Sequence, residues 1–192
     1  MLSNSTIEPY FNYNITKKYD LIVTQSISIN DIDAFIFDFD GVLTNNYVQL
    51  DAQGNEWVSC NRSDGLAFDA LRKLNIPAFI ISSEKNLVVS ARAKKLNIPS
   101  IQGVEDKVSA IKNLEIKHGF SPLRLFYVGN DINDFLAMKI CGHSACPSDS
   151  HPMIKELSEI ILENKGGQGI VRELLEKVLK IDLFKVLYLE KK

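Results

Sequence analysis

Two aspartates separated by one residue, Asp38 and Asp40, follow directly on the apolar run 34–37. A run of this kind, ended by Asp and Gly, predicts a buried parallel strand that ends at the carboxyl edge of an open α/β sheet, where such folds bind ligands. Asp38 could attack an electrophile there, while Asp40 protonates the leaving group and then activates water. Gly41 lets the backbone pass close to a bound anion. An acidic turn that only caps a strand is the structural alternative.

Three further polar positions lie after or near apolar runs. Ser82 follows the run 78–81, Lys107 lies in a helical stretch that begins near residue 105, and the loop 129–134 follows the run 125–128. Each has an ordinary explanation, as a strand-end cap, a solvated lysine or acids at a helix N-terminus. Their joint order along the chain favours one shared site.

In this order the four segments resemble the signatures of the haloacid dehalogenase-like phosphohydrolases. The resemblance implies that Asp38 forms an aspartyl-phosphate, that Ser82 hydrogen-bonds the transferring phosphoryl group, and that Lys107 holds the phosphate and neutralises the nucleophile. It also implies a Mg²⁺ cofactor, since a carboxylate can approach an anionic phosphate only when positive charge compensates both. The implied ligands are Asp38, the carbonyl of Asp40 and an acid of the fourth segment.

The fourth segment departs from the commonest family pattern at Asn130, where many members have a metal-binding aspartate. Three alternatives follow: Asn130 ligates through its neutral amide oxygen, Asp131 takes over the role, or the metal affinity is low. Asp134 matches the acid that supports the metal site indirectly, by holding the residues that bind the metal. Because of Asn130, a second interpretation also remains: the chain is a catalytically weak or inactive domain that serves oligomerisation.

The alternation of apolar runs with helical patterns predicts a Rossmann-like α/β fold, a three-layer sandwich with a central parallel sheet and right-handed crossovers. We expect one domain over residues 33–192, with a small β-hairpin flap at about 47–59 and no large cap domain. Residues 1–32 are expected to form an N-terminal arm or extension. Strands are expected at 34–37, 78–81, near 100–101, 125–128 and near 144, and helices at 64–74, 85–96, 105–118, 132–140, 151–157 and from about 170.

Composition excludes some classes of function. The formal net charge of −2 gives no electrostatic footprint for nucleic acid. No apolar run reaches the length of a membrane span, and no secretory signal is evident, so we expect a soluble cytoplasmic protein.

The three cysteines, Cys60, Cys141 and Cys146, lack a paired spacing and are expected to be reduced thiols. Cys141 and Cys146, together with His143 and His151, briefly suggest zinc ligands. Their spacings fit no standard zinc motif, so ordinary packing is the favoured interpretation.

Within the family, the chain most resembles the capless branch. The segments that carry this resemblance are 61–65, 102–107 and 166–169, the last followed by Arg172. That branch contains the 3-deoxy-octulosonate 8-phosphate phosphatases, the nonulosonate 9-phosphate phosphatases, and the phosphatase-like domains of acylneuraminate cytidylyltransferases. It implies a small sugar phosphate as the substrate and a homotetramer whose hairpins and carboxyl tails shape neighbouring active sites.

The segment Ser83-Glu84-Lys85 favours a nonulosonate, because octulosonate phosphatases tend to have Arg-Pro where this chain has Glu-Lys. An octulosonate 8-phosphate phosphatase is the alternative. Glu84 is expected to accept hydrogen bonds from sugar hydroxyls, and the candidates for the substrate carboxylate are basic residues that could equally be surface charges. The full set of expected substrate-binding residues is Thr44, Arg62, Asp64, Gly65, Ser83, Glu84, Arg92, Lys95 and Arg172.

Overall fold

The central element of the fold is a six-stranded sheet, all of whose strand pairs are parallel, in the order β5-β4-β1-β6-β7-β8. A computed structural model describes residues 27–189. The two remaining strands pair antiparallel as a separate hairpin. The strands are β1 (Ala34–Phe37), β2 (Gln49–Leu50), β3 (Glu56–Trp57), β4 (Ala78–Ile81), β5 (Ser100–Ile101), β6 (Leu125–Val128), β7 (His143–Cys146) and β8 (Ile160–Ile161).

Helices connect successive strands of the sheet, and their ends follow capping rules. Helix α3 begins after Asp106, whose side chain accepts hydrogen bonds from the Val108 and Ser109 amides, and it ends at Gly119 in the left-handed conformation. The helices are α1 (Ser63–Lys73), α2 (Leu87–Leu96), α3 (Lys107–His118), α4 (Phe135–Ile140), α5 (Pro152–Leu157) and α6 (Ile170–Glu173), the last continuing as a π-helical turn over Leu174–Val178.

The sheet buries apolar side chains on both faces, as a parallel sheet covered by two helical layers must. All four residues of β1 are fully buried. Since side chains alternate along a strand, Phe35 and Phe37 pack with α1, α2 and α6 on one face, whereas Ile36 packs with α3, α4 and α5 on the other. The resulting three-layer α/β sandwich confirms the predicted fold class.

The β-hairpin formed by β2 and β3 projects from the sandwich at the position predicted for the flap, and no larger inserted domain lies within residues 27–189. Its turn is stabilised by Asp51, whose carboxylate accepts hydrogen bonds from the amides of Gln53 and Asn55. Several of its large apolar side chains are exposed, Tyr47 at 77% and Trp57 at 53%.

The structure differs from the predicted elements in several places, and the helix expected at 85–96 begins at Leu87, after the cap Asn86. The helix expected at 105–118 begins at Lys107, because Asp106 serves as its cap. The helix expected at 132–140 is divided into a 3₁₀ turn, Ile132–Asp134, and α4. The apolar residues at 160–161 form an additional edge strand. The expected N-terminal arm falls mostly on residues 1–26, outside the described part of the chain.

None of the helices described between residues 27 and 189 combines the length and the apolar character needed to cross a membrane. The three cysteines are all free thiols, with Cys141 and Cys146 buried. His143 lies 3.0 Å from the carboxylate of Glu159, and His151 caps α5.

Candidate active site

The carboxyl ends of three adjacent strands bring the predicted catalytic residues together. β4, β1 and β6 lie side by side, and they are followed by Ser82, Asp38 and Asn130. The chain runs from β1 to β4 and β5 on one side and then returns to β6 on the other side of β1, so this is the switch point at which an open α/β sheet forms a crevice. The topology alone therefore explains why residues far apart in sequence share one site.

The turn after β1 is held by internal hydrogen bonds. The Phe39 carbonyl accepts hydrogen bonds from the amides of Leu43 and Thr44. Gly41 has a φ of +78°, which an L side chain rarely adopts. The hydroxyl of Thr44 accepts from the Gly41 amide and donates to Asp40 Oδ1 at 3.3 Å. Thr44 therefore orients Asp40 rather than lining the cleft.

Lys107 lies between two buried carboxylates. Its Nζ is 2.7 Å from Asp38 Oδ1 and 2.7 Å from Asp134 Oδ1, and the three side chains are only 3%, 6% and 0% exposed. Burial raises the pKa of Asp38 and the nearby Asp134 raises it further, whereas Lys107 opposes both effects. Burial lowers the pKa of Lys107, but the two carboxylates outweigh it and hold that pKa above its ordinary value. The buried lysine is therefore the counter-charge of the candidate nucleophile.

Asp134 anchors the loop after β6. Its Oδ1 accepts hydrogen bonds from Lys107 and from the Tyr127 hydroxyl, and its Oδ2 accepts from the Asn130 and Asp131 amides. Asp134 thus holds both the lysine and the loop, and it does not line the cleft. Sequence reasoning missed Tyr127, because it lies inside the apolar run of β6 and no polar neighbour distinguishes it.

The side chain of Asn130 faces the two oxygens expected to bind metal. One end of its amide lies 3.2 Å from Asp38 Oδ2 and 2.8 Å from the Asp40 carbonyl oxygen. The carboxylate of Asp131 instead accepts the Ile132 amide at 2.7 Å. Of the two alternatives for a ligand on this loop, the geometry favours Asn130.

The donor set suits a hard divalent cation, because it consists of carboxylate, carbonyl and amide oxygens. Within residues 27–189, no three His, Cys, Asp or Glu side chains form a cluster that could hold a metal. A metal here would therefore depend on main-chain and amide oxygens, and its remaining positions would be left to water and substrate.

These residues open onto a cleft of about 340 Å³. Four carboxylate side chains line it, and among its described lining residues none is basic. Burial raises the pKa of Asp40, the Thr44 hydrogen bond opposes this, and Glu84 and Glu56 raise the pKa further. A raised pKa suits a residue that must donate a proton. The lining residues are Asp38, Asp40, Asn46, Ser82, Ser83, Glu84, Asn130, Asp131, Ile132 and Asn133.

The loop after β4 carries three polar residues into the cleft. The Ser82 hydroxyl accepts the Glu84 amide at 3.1 Å, which leaves its own proton available for a ligand. Glu84 Oε1 accepts the amides of Lys85 and Asn86, so the carboxylate is held in one orientation. Ser83 is exposed beside it. Asn46, Ile132 and Asn133 were not predicted, since single polar or apolar loop residues carry no motif.

The other expected substrate-binding residues do not line this cleft within one protomer. Arg172 pairs with Glu176 at 3.0 Å, and Arg92 donates to the Asn61 carbonyl at 2.7 Å. Arg62 and Lys95 are exposed, on the residue before α1 and on α2. Gly65 lies in the first turn of α1.

Asp64, also expected to bind substrate, lies outside the lining of the cleft. Asp64 is 1% exposed, and its Oδ1 accepts the amides of Val171 and Arg172, the first turn of α6. Burial raises its pKa to about 6, although these two hydrogen bonds and Arg92 oppose the shift. From its position on α1, Asp64 therefore caps the amino end of α6.

The glycine run before α6 supports the catalytic turn directly. The Gly167 amide donates to the Val42 carbonyl at 2.9 Å. A Cβ added at Gly166 would lie 2.1 Å from the Gly41 carbonyl oxygen. Only a residue without a side chain permits this approach. The glycine run therefore packs directly on the turn after β1 and connects that turn to α6.

No family model matches the chain. It is 31% identical over 150 residues, 78% of this chain and 80% of the relative, to the 3-deoxy-D-manno-octulosonate 8-phosphate phosphatase of Salmonella typhi. The chain belongs to the haloacid dehalogenase-like phosphatases. This membership confirms the resemblance, and the enzyme class is that of the phosphoric monoester hydrolases.

Solved structures of this phosphatase family superpose on most of the chain. A HAD family hydrolase from Streptomyces avermitilis shares 38% identity with a TM-score of 0.79, covering 82% of this chain and 90% of its own. The 3-deoxy-D-manno-octulosonate 8-phosphate phosphatase of Moraxella catarrhalis, whose structure contains magnesium, phosphate and KDO, shares 32% identity with a TM-score of 0.75, covering 78% of this chain and 87% of its own.

Proposed function

We propose that this protein is a Mg²⁺-dependent phosphomonoesterase that acts on a 2-keto-3-deoxy sugar acid phosphate. The observation that carries the proposal is the buried contact of Asp38 with Lys107 at the floor of a cleft that also holds Asp40 and Ser82. The family relatives that act on octulosonate 8-phosphate support the same class of substrate.

In the proposed reaction, Asp38 attacks phosphorus while the bond from phosphorus to the sugar oxygen breaks. Asp40 gives its proton to that oxygen, so the sugar leaves as an alcohol and Asp38 carries the phosphoryl group. Asp40 then takes a proton from water as the water attacks phosphorus, which releases phosphate and restores Asp38. Ser82 and Lys107 hold the phosphoryl oxygens throughout.

Asp38, the Asp40 carbonyl and Asn130 would hold Mg²⁺. The bound ion would supply positive charge to the phosphoryl oxygens and orient the ester in line with the nucleophile. An amide in place of a carboxylate removes one negative charge from the site, and the affinity of a site for a cation depends on the negative charge of its ligands. We therefore expect a weaker Mg²⁺ affinity than an aspartate at this position would give.

A nonulosonate 9-phosphate is the first candidate substrate. Glu84 supports it, because its carboxylate lines the cleft and is held in place by two amides at Oε1, as an acceptor for sugar hydroxyls requires. An octulosonate 8-phosphate is the second candidate, favoured by the identities of the curated relatives.

A neighbouring subunit would complete the site. The substrate carries a carboxylate, yet the described lining of the cleft contains no basic side chain. The exposed apolar side chains of the hairpin, such as Tyr47 and Trp57, support association of protomers. We propose a homotetramer in which exposed basic residues of another protomer, with Arg62 and Lys95 as candidates, meet the carboxylate. Free cysteines support a cytoplasmic location.

The substrate proposal is tested by comparing kcat/KM for a nonulosonate 9-phosphate and for 3-deoxy-octulosonate 8-phosphate. Glu84→Gln is expected to lower kcat/KM for the preferred substrate by roughly tenfold, the loss of one hydrogen bond to a charged group. Glu105→Gln makes the same change on an exposed loop residue outside the cleft and is the matched control. Preference for the eight-carbon substrate, unaffected by Glu84→Gln, would contradict the nonulosonate proposal and leave the sugar-acid class in place.

A non-catalytic oligomerisation domain is the alternative of a different class. Asn130 is the observation in its favour. Against it, the buried contacts of Lys107 with two carboxylates are costly to maintain in a domain that needs only its surface. Absence of phosphate release from both sugar acids, from folded protein saturated with Mg²⁺, would support this alternative.

A further inference from the structure

Asn130 lies where the cation of the proposed site would bind, and its amide has two chemically different ends. We propose that Asn130 works in two positions. Without metal, its amide nitrogen donates to Asp38 and to the Asp40 carbonyl and closes the site; when a divalent cation binds, the amide turns and its oxygen faces the cation. This inference rests on the metal site of the proposed function.

The contacts determine the metal-free position. The end of the amide that faces the site lies 3.2 Å from Asp38 Oδ2 and 2.8 Å from the Asp40 carbonyl oxygen. Both partners are acceptors, so an amide oxygen there would face two oxygens, whereas the amide nitrogen makes two hydrogen bonds. In the absence of a cation the nitrogen is therefore the stable occupant of that end.

The cation reverses this preference. A positive ion among these oxygens attracts the amide oxygen and repels the N–H groups, so the same side chain becomes a ligand once it has turned. Turning costs the two hydrogen bonds of the metal-free form, one of which goes to a carboxylate. The metal-free site is thus stabilised by the residue that must move for metal to bind.

The main chain at Asn130 is fixed, so the proposed turn is a rotation of the side-chain amide alone. The Asn130 amide N–H donates to Asp134 Oδ2 at 2.9 Å, and the Asn130 carbonyl accepts from the His151 amide at 2.9 Å. The main chain is therefore held on both sides. The far end of the side-chain amide packs on Gly41, where an added Cβ would lie 2.0 Å from it. The added Cβ would also lie 2.6 Å from Asn130 Cγ, so either orientation of the amide requires glycine at position 41.

An aspartate at this position has the opposite properties. It cannot donate a hydrogen bond, and it would place a carboxylate within about 3 Å of Asp38 Oδ2, judging from the 3.2 Å separation of the present amide. Asn130→Asp should therefore weaken the metal-free protein and strengthen metal binding. A residue that is only a neutral ligand, without the closing role, would change metal binding alone.

Thermal unfolding in a chelator and calorimetric titration with Mg²⁺ measure these two effects. Asn130→Asp is expected to lower the metal-free Tm by about 3 °C or more and to tighten Mg²⁺ binding by on the order of tenfold. Asn133→Asp is the matched control, since it adds the same charge to an exposed position on the same cleft. If the metal-free Tm of Asn130→Asp equals that of Asn133→Asp, the closing role is refuted.

Side-chain amide resonances of ¹⁵N-labelled protein observe the turn itself. The Asn130 pair is assigned by its absence from Asn130→Asp. We expect slow hydrogen exchange of this pair without metal and faster exchange, with a changed shift, at saturating Mg²⁺. If calorimetry shows that Mg²⁺ is bound and the hydrogen exchange of the Asn130 side-chain amide is unchanged, the turn is refuted. Absence of Mg²⁺ binding in both the wild type and Asn130→Asp refutes it as well. If Mg²⁺ binds and the amide turns but no sugar acid phosphate is hydrolysed, the inference stands and the proposed function fails.

Discussion

Replacing Lys107 by methionine should destabilise the protein strongly. The side chain keeps its length, but Asp38 and Asp134 lose a partner that lies 2.7 Å from each and that is 3% exposed. Removal of one partner from a buried charge cluster costs about 3–5 kcal/mol, because an uncompensated charge remains buried. We expect a loss of that order in the free energy of unfolding at pH 8, measured by urea denaturation.

The pH dependence of this loss identifies its cause. Without Lys107 the folded-state pKa of the buried carboxylates rises, so the folded variant binds more protons than its unfolded chain and gains stability as the pH falls. The difference from the wild type should therefore be smaller at pH 5 than at pH 8. Lys112→Met, on the exposed face of the same helix, should change stability by no more than about 0.5 kcal/mol. A loss below about 1 kcal/mol for Lys107→Met, or an equal loss at both pH values, would refute the reasoning.

Two further predictions concern the link between α1, the glycine run and the catalytic turn. Burial raises the pKa of Asp64 to about 6 from 3.8, so its folded-state pKa exceeds the unfolded one, and Asp64 should contribute a loss of roughly 3 kcal/mol of stability as the pH rises from about 4 to 6. Asp64→Asn should make the pH dependence shallower than that of the wild type in urea unfolding at pH 4.5 and 6.5, whereas the half-exposed control Asp69→Asn should keep the wild-type slope. A wild-type slope in Asp64→Asn would assign the dependence to other groups, such as Asp38, whose pKa burial also raises. Gly166→Ala should lower the free energy of unfolding by about 1–3 kcal/mol and reduce kcat, since its Cβ would overlap the Gly41 carbonyl. The helical control is Gly65→Ala, whose Cβ would be 3.9 Å from Leu96, and it should not be destabilising. Equal stability of the two alanine variants would show that the glycine run does not support the turn.

The sequence predicted the fold because each local pattern agreed with the others. The four-residue apolar runs at 34–37, 78–81 and 125–128 are β1, β4 and β6 within the same bounds. Strand order and the two-residue edge strand Ile160–Ile161 could not be read, because both depend on contacts between distant segments. Helix boundaries shifted where a polar residue such as Asp106 became a cap.

The site was predictable where a motif marked the residue and unpredictable where only the fold did. Asp38, Ser82 and Lys107 lie together as their motifs indicated. Tyr127 is a hydrogen-bond donor to Asp134 but looks like any strand residue in the sequence. Asp64 was predicted to open a helix and to bind substrate, and only the position of α6 shows that its carboxylate caps α6.

Phosphate release by the wild type and by Asp38→Asn tests the central claim most directly. The assay uses saturating Mg²⁺ with a nonulosonate 9-phosphate, 3-deoxy-octulosonate 8-phosphate and a hexose phosphate, and circular dichroism verifies that the variant is folded. We expect the wild type to hydrolyse at least one sugar acid phosphate and Asp38→Asn to be slower by more than about 1,000-fold, because the nucleophile is lost. Retention of a substantial part of the activity by folded Asp38→Asn, or the absence of phosphate release by the wild type, would contradict the central claim.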